Sequence, residues 1–349
     1  MIAIDGAQGG GQILRTAVSY SALSGHAVRI VNIRGARPNP GLRPQHLLAV
    51  NATAALCGAR IAGARLGSTE IEFVPGPIAP PAAWRLDVGT AGSVMLILQA
   101  VLSCLALADA AVDLTLTGGT NNPWAPTFEY LRYILLPVLD TMGFRVEAEL
   151  VSRGFYPKGG GEIRVRTQPA GRIRPITLRD RGALKRVWGI SYSSNLPEHI
   201  AQRMAWTCRE QLGRAGLKCD EFTVDTGRRA ASPGCGIIAF AEFERAVIAG
   251  DALGERGKPA EKVGIEAAEA LLREFRSGAP VDTHLGDQLV PWVALADGES
   301  TYVAARRSDH LISAIGVAQQ VIGAQFELEG REPVEVRCRG AGHTSRRSS

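Results

Sequence analysis

A weak internal repeat constrains this chain more than any other feature of its sequence. Residues 2–75 read as strand, Gly-rich turn, helix (Ile13 to Leu23), strand (Val28 to Ile33), loop, helix (Pro44 to Cys57) and two strands. The order returns over residues 84–167, with a Gly89-Thr-Ala-Gly92 turn, helices over Val94 to Ala106 and Thr127 to Met142, and a Gly118-Gly119 loop. A third copy spans 280–338, with helices over Gln288 to Ala296 and His310 to Ile322. Apolar periodicity and glycine punctuation carry each assignment, and Pro137 is expected to kink or end the helix that contains it. Residues 183–277 break the rhythm and read as a separate strand and helix set. The expected fold is therefore α+β: three β-α-β-α-β-β repeats of a sheet with two helices form a large domain, with a smaller inserted α+β domain. The large domain comprises 1–180 and 280–338, the insertion 183–277, and the polar Gly/Ser/Arg-rich stretch 339–349 reads as a disordered tail.

A chain of 349 residues that is 46% apolar and 21% charged can bury such a core. No apolar run reaches bilayer length, because Gln99, Ser103 and Asp109 break the nearest one, so no membrane partner is expected. The first residues, Met1 to Asp5, read at once as a strand rather than an export signal, which places the chain in the cytoplasm. Its six cysteines form no Cys-x-x-Cys pair and read as buried thiols rather than zinc ligands or disulfides. Formal charge of +5 is compatible with a polyanionic partner.

The polar residues gather in matching loops. His284-Leu-Gly-Asp287-Gln288 is followed by Arg306-Arg307 and His310 in the third copy; Arg34, Arg37 and Gln45-His46 occupy the first, and Thr120-Asn-Asn-Pro the second. Three quasi-equivalent loops can converge on one site. Imidazole is substantially unprotonated near neutral pH and so is a nucleophile without further activation, which makes His310, at a helix start beside two arginines, a candidate for attack on phosphorus. Gly9-Gly10-Gly11-Gln12 can offer backbone N–H groups to phosphate, but it has neither the Gly-Lys-Ser/Thr of a Walker loop nor the dinucleotide fingerprint, and a simple tight turn explains it as well.

These strings resemble the RNA 3′-terminal phosphate cyclase family. The resemblance runs from about Ile2 to Leu328 through Ile4-Asp-Gly, Gly-Gly-Gln12-Ile-Leu-Arg15-Thr, Ile33-Arg-Gly-Ala-Arg37-Pro-Asn-Pro-Gly41-Leu-Arg-Pro-Gln45-His46, Gly-Thr-Ala-Gly92-Ser with Gln99, Gly118-Gly-Thr-Asn-Asn-Pro, Gly154-Phe-Tyr-Pro-Lys-Gly-Gly-Gly161, Ser232-Pro-Gly, Gly254-Glu-Arg-Gly-Lys258 and His284-Leu-Gly-Asp287-Gln288-Leu. It implies the same repeated fold and a reaction in which ATP, with a divalent cation (Mg or Mn), adenylates a histidine. AMP then passes to an RNA with a 3′-terminal phosphate, and the 2′-hydroxyl closes a 2′,3′-cyclic phosphate. His310 matches the nucleophile. Asp287 matches a position near the ribose, Gln99 one near the AMP phosphate, and Pro126 with His284 the pair flanking the adenine; Gln288 follows in the nucleotide-binding set. Arg15, Arg34, Arg37, Gln45 and His46 match positions that engage phosphates of the RNA end, a task suited to planar guanidinium forks. The residues alone leave Arg15 open to being a solvated helix face, His46 a structural histidine and Asp287 an N-cap.

Two departures stand out. The family's Gly-Glu-Gly-Gly-Gly-Gln loop is shortened here and lacks its glutamate, which leaves the metal ligands unknown, with Asp5 the nearest carboxylate; and Ser313-Ala314 replaces Thr-Asn after the nucleophile. Two other functions compete. One is a non-catalytic cyclase-like RNA-binding protein of ribosome assembly, which the retained His310 argues against. The other is a carboxyvinyl transferase of related repeat fold, which does not account for Asp287 and His310 together.

Overall fold

The protein is described here from a computed structural model that covers residues 1–8 and 10–343. Strand β1 (Ile2–Asp5) feeds helix α1 (Gln12–Ser24), which returns the chain to β2 (Val28–Val31), paired parallel to β1. Gly25 ends α1 with a φ of 76° and closes its N–H on the Ser21 carbonyl, a left-handed stop that a Cβ would resist. Helix α2 (Pro44–Cys57) opens on proline, whose missing N–H is harmless in a first turn, and β3 (Arg60–Ala62) and β4 (Ile71–Val74) complete a sheet of order β1-β2-β4-β3.

The next segment gives β5 (Ala83–Asp87), α3 (Val94–Ala106), β6 (Val112–Gly118), a second helical rod, β7 (Val146–Ser152) and β8 (Gly161–Thr167), in the order β5-β6-β8-β7. The rod comprises α4 (Phe128–Tyr130), a π turn over Leu131–Leu135 and α5 (Leu136–Thr141). Pro137 does not end it. The wide turn just before it, closed by the Leu136 N–H on the Leu131 carbonyl, places proline in the first turn of α5, where its missing donor is tolerated.

Strand β9 (Thr177–Leu178) precedes the insertion, which consists of β10 (Leu184–Ser194), α6 (Glu198–Arg214), β11 (Glu221–Asp225), β12 (Gly234–Phe243), β13 (Val247–Leu253) and α7 (Ala260–Ser277) on a sheet of order β11-β10-β12-β13. Then come α8 (Thr283–Gln288), α9 (Val290–Leu295), β14 (Glu299–Ala304), α10 (Asp309–Ile322), β15 (Gln325–Gly330) and β16 (Val334–Arg339). Because β9 pairs parallel with β14, this sheet has the order β9-β14-β16-β15. Its first strand therefore lies before the insertion, not after residue 280 as the sequence pattern suggested. The helix expected over Gln288 to Ala296 is α9, and the additional short helix α8 precedes it, capped by Asp282, which accepts the His284 and Leu285 N–H groups at 3.1 and 2.8 Å. Nor does disorder begin at Arg339: that residue closes β16, and the N–H groups of Gly340, Ala341 and Gly342 bond the Gly298, Ala294 and Ala296 carbonyls. Residues 344–349 of the expected tail lie outside the described residues.

The period-2 geometry of β12 joins the insertion to the rest. Ile237, Ala239 and Ala241 face the core beneath α6 and α7, whereas Ile238 and Phe240 join the main hydrophobic cluster, with Phe240 stacked on Trp188 at 4.3 Å. The cysteines are free thiols, all buried except the half-buried Cys235. Among the described residues no helix is long and apolar enough to cross a membrane.

A buried polar knot completes that joint. Arg153, 1% exposed, is held by Glu129 at 2.7 Å and Asp225 at 2.9 Å, and its guanidinium lies 3.8 Å from the Tyr192 ring centroid. Burial alone would lower its pKa; Glu129 and the other partners leave it raised. Removing one member of a buried ion pair leaves its partner's charge uncompensated, at about 3–5 kcal/mol. Arg153→Ala is accordingly expected to lower unfolding free energy by about that amount in denaturant titrations; a loss within about 1 kcal/mol would show that the carboxylates are solvated after all.

Candidate active site

The start of α10 holds the central group. Ser308 caps it, its Oγ accepting the Leu311 N–H at 3.1 Å, and His310 is the helix's second residue. The first residue of α1, Gln12, reaches across to it. Its Nε2 donates to the His310 carbonyl at 3.3 Å and its Oε1 accepts from His310 Nδ1–H. The carboxamide's two opposite roles fix its orientation and with it the ring tautomer: the proton sits on Nδ1 and the lone pair on Nε2. Burial lowers the His310 pKa, Arg15, Arg37 and His284 lower it further, and Asp309 opposes them. The ring is thus held toward its neutral form, with Nε2 free of a proton.

Other helix starts gather around it. At their far ends α1 and α10 remain adjacent, where a His26 ring nitrogen lies 3.2 Å from the Val321 carbonyl, so the helices run parallel and present both positive ends together. α1 has neither a side-chain cap nor an acidic residue in its first turn. His46, in the first turn of α2, rests on Gly11, where a Cβ would stand 2.3 Å from His46 Nε2 and 2.9 Å from Arg15 Nη1. Its Nδ1 accepts the Arg43 N–H at 3.2 Å, and burial together with Arg15, Arg34 and Arg43 pushes its pKa down to about 3, leaving a neutral ring with an Nε2–H donor. Beside it, Gln45 Oε1 accepts the Ser93 N–H at 3.1 Å, which ties the start of α2 to that of α3.

Arg15 is buried, not a solvated helix face; burial lowers its pKa to about 10 against the pull of Asp287. Burial raises Asp287 to about 7, with His284 and Arg15 pulling down and Asp282 pushing up. Asp287 lies near the end of α8 and is no N-cap; that task falls to Asp282, which also accepts the Tyr130 hydroxyl. His284 is exposed and meets the Tyr130 ring edge-on at 6.3 Å. Gln99, Pro126 and Gln288 line one small cavity of about 10 Å³ with Met95 and Leu131. Arg37 lies across Gly10, where a Cβ would stand 3.2 Å from its Nη2. Arg34 instead braces its own loop, donating from Nη1 to the Asn39 and Gly41 carbonyls at 2.6 and 2.9 Å.

Two sequence readings change. The arginines acting on His310 are Arg15 and Arg37, from distant sequence, whereas the adjacent Arg306 turns to Glu332 at 3.0 Å and lines an outer groove with Arg307 and Arg331. By sequence Gln12 reads as part of a turn, its one signal being a carboxamide that opens a helix directly after glycines. Asp5 accepts the Ala7 N–H and the Asn32 amide, and among the described residues no three His, Cys, Asp or Glu side chains form a set fit for a metal.

Converging helix starts, the buried Arg15, exposed Arg37 and a neutral imidazole make a positively charged pocket suited to an anionic group. The sequence pattern of the RNA 3′-terminal phosphate cyclases matches residues 7–328. Relatives carrying that name are 45% identical in Thermococcus onnurineus over 97% of this chain and 99% of theirs, and 43% identical in Methanopyrus kandleri over the same shares. A third, from Caldivirga maquilingensis, is 43% identical over 94% of both chains. The chain belongs to the RNA 3′-terminal phosphate cyclase family. Among solved structures, the enolpyruvyl transferase NikO from Streptomyces tendae matches 99% of this chain and 50% of its own length with a TM-score of 0.42 and 14% identity, too distant a likeness to bear on fold or function.

The electrostatics give a measurable consequence. Followed by NMR of the imidazole carbon-bound protons, His310 is expected to titrate below the ordinary value of about 6.5, and Arg37→Ala to move the midpoint upward, since removing a nearby cation favours the protonated ring. An unmoved midpoint would remove Arg37 from the field acting on His310.

Proposed function

We propose that this chain uses ATP to convert the 3′-terminal phosphate of RNA into a 2′,3′-cyclic phosphate, with His310 as the residue that carries AMP. The observation that carries this reading is the pairing of His310 Nδ1–H with Gln12, which leaves Nε2 as the nucleophile. Nε2 attacks the α-phosphorus of ATP: the N–P bond forms, the bond from that phosphorus to the bridging oxygen breaks, and pyrophosphate leaves. Positive charge developing on the ring is shared with Gln12 Oε1. An oxygen of the RNA 3′-phosphate next attacks the same phosphorus, breaks the P–N bond and returns the neutral histidine. The adjacent 2′-hydroxyl then attacks the RNA phosphorus, losing its proton to water while AMP departs. Activation is required because a phosphomonoester lacks a good leaving group; once it is an anhydride, the neighbouring hydroxyl acts at high effective concentration.

Arg15 and the uncapped start of α1 are placed to meet phosphate charge. Gln99, Pro126 and Gln288 lie together around one water-sized cavity, a grouping that accords with a nucleotide-binding edge there; the family resemblance adds Pro126 and His284 flanking the adenine and Asp287 toward the ribose. Arg37, exposed over Gly10, is assigned to the RNA phosphate; Arg34 shapes its loop; Gln45 and His46 keep an amide N–H₂ and an Nε2–H for the same end. Among the described residues no group of three or more His, Cys, Asp or Glu side chains offers a ligand set for the divalent ion expected with ATP. The shared order and pairing senses of three sheets support reading them as three copies of one unit, in a large domain of 1–180 and 280–338 with 183–277 inserted. Free thiols accord with a cytoplasmic location.

His310→Ala is expected to abolish incorporation of label from α-labelled ATP while retaining the folded circular-dichroism spectrum; persistent labelling would sink the assignment. Arg37 separates the steps. Arg37→Ala should form histidine–AMP at a near-normal rate yet transfer AMP to a 3′-phosphorylated oligonucleotide at least about tenfold more slowly, the size of one charge-assisted contact, and Arg37→Lys should recover little of it. Loss of adenylation with normal transfer from pre-adenylated enzyme would place Arg37 on ATP instead.

A further inference from the structure

One side chain near this site has no structural work to do. Trp124 is 99% exposed and sits at a φ of 66°. Left-handed backbone is unfavourable for a bulky residue, and exposing an indole forgoes its burial, so folding alone does not account for it. The loop is nevertheless held in place. Asn122, two residues before it, donates to the Ala91 carbonyl; the Thr120 N–H bonds the Gly154 carbonyl at 3.0 Å, and the Gly154 N–H returns to Thr120 Oγ1 at 2.9 Å.

The loop bonded through Gly154 carries a second exposed ring, Tyr156, at 78%, followed by exposed Lys158. It packs on the same turn as Asn122, since a Cβ on Gly159 would stand 2.6 Å from the Thr90 carbonyl. Exposed Arg229 stands one residue before Ala230, which bridges to Arg153 at the start of that loop. A continuous trail leads back to the nucleophile: Ala91 adjoins Gly92 and Ser93, Ser93 is bonded by Gln45, and the adjacent His46 rests on Gly11 beside Gln12 and His310. Two exposed aromatic faces flanked by exposed cations, leading away from a site for a strand terminus, are the components of a single-strand nucleic-acid track, in which rings stack bases and cations follow phosphates.

We propose that Trp124, with Tyr156 beyond it, is the stacking platform for unpaired bases immediately upstream of the RNA 3′-phosphate. The inference rests on the cyclase reading and adds the substrate class: a 3′ end that is single-stranded over its last nucleotides. A paired end keeps its bases stacked within the duplex and offers no face to the indole.

The test measures binding of a 5′-fluorescein, 3′-phosphorylated hexanucleotide to the full chain by anisotropy, alongside self-adenylation without RNA. Trp124→Ala is expected to weaken binding about tenfold or more, Trp124→Phe to recover most of it, and self-adenylation to stay unchanged. An abasic nucleotide next to the 3′ end should weaken binding to the unaltered protein but add nothing to the Trp124→Ala loss, and a blunt duplex of the same end should not distinguish the two proteins. Equal hexanucleotide affinity for both proteins overturns the platform, and so does a parallel fall in self-adenylation, which would put the ring on the adenine of ATP. Failure of the unaltered protein to self-adenylate would instead refute the cyclase reading beneath it.

Discussion

Two parallel helices that present their positive ends to each other are held in an arrangement that electrostatics alone disfavours, and the site depends on that arrangement. α1 and α10 meet at Gln12 and His310, with about half a unit charge at each helix start. Buried Arg15 and nearby Arg37 add two cations. Packing of the helices' apolar flanks holds them together, and the missing Cβ of Gly11 admits His46 and Arg15 to the space between. Without an anion the pocket carries uncompensated positive potential in partly desolvated surroundings, where charges interact far more strongly than in water. An anion entering the pocket relieves that potential, so part of its affinity comes from the protein's own frustration rather than from dedicated donors.

The same field acts on the imidazole. In water, half of all imidazole is protonated near pH 6.5; here burial first, and Arg15 and Arg37 after it, hold His310 toward its neutral form. The carboxamide of Gln12 complements this. A carboxylate in its place would attract a proton onto the ring and raise its pKa, opposing Arg15 and Arg37. An amide orients the imidazole without that penalty. Asp287 shows the reverse case: raised to about 7 by burial, it is only partly ionised near neutral pH and carries less negative charge than an ordinary carboxylate.

Long periodic helices were legible in the sequence, and α1, α2, α3 and α10 lie within a residue or two of where apolar spacing put them. What escaped were features whose signal is not local. β9 is two residues long and finds its partner only across the insertion; no window of sequence contains both. α8 escapes the sequence pattern because it is a six-residue element behind its cap, Asp282, and carries no apolar stripe. Within the site, His310 and Asp287 were visible as chemistry. The neighbours of His310 were not, because Arg306 and Arg307 are adjacent in sequence whereas Arg15, Arg37 and Gln12 are adjacent in space. Gln12 looked like punctuation after glycines, and only the docking of α1 on α10 gives it a partner.

The placement of β9 ahead of the insertion also sets an order of events during synthesis. Its partner β14 emerges only after the whole of β10 to α7 has been made, so the last sheet must close a loop of more than a hundred residues, at an entropy that rises only slowly with loop length. Domains fold largely as they leave the ribosome. The insertion can therefore assemble on its own sheet and shorten that loop before β14 arrives. α10 follows β14, so His310 is among the final parts to reach its place, and a chain interrupted anywhere upstream lacks the imidazole around which the other helix starts gather.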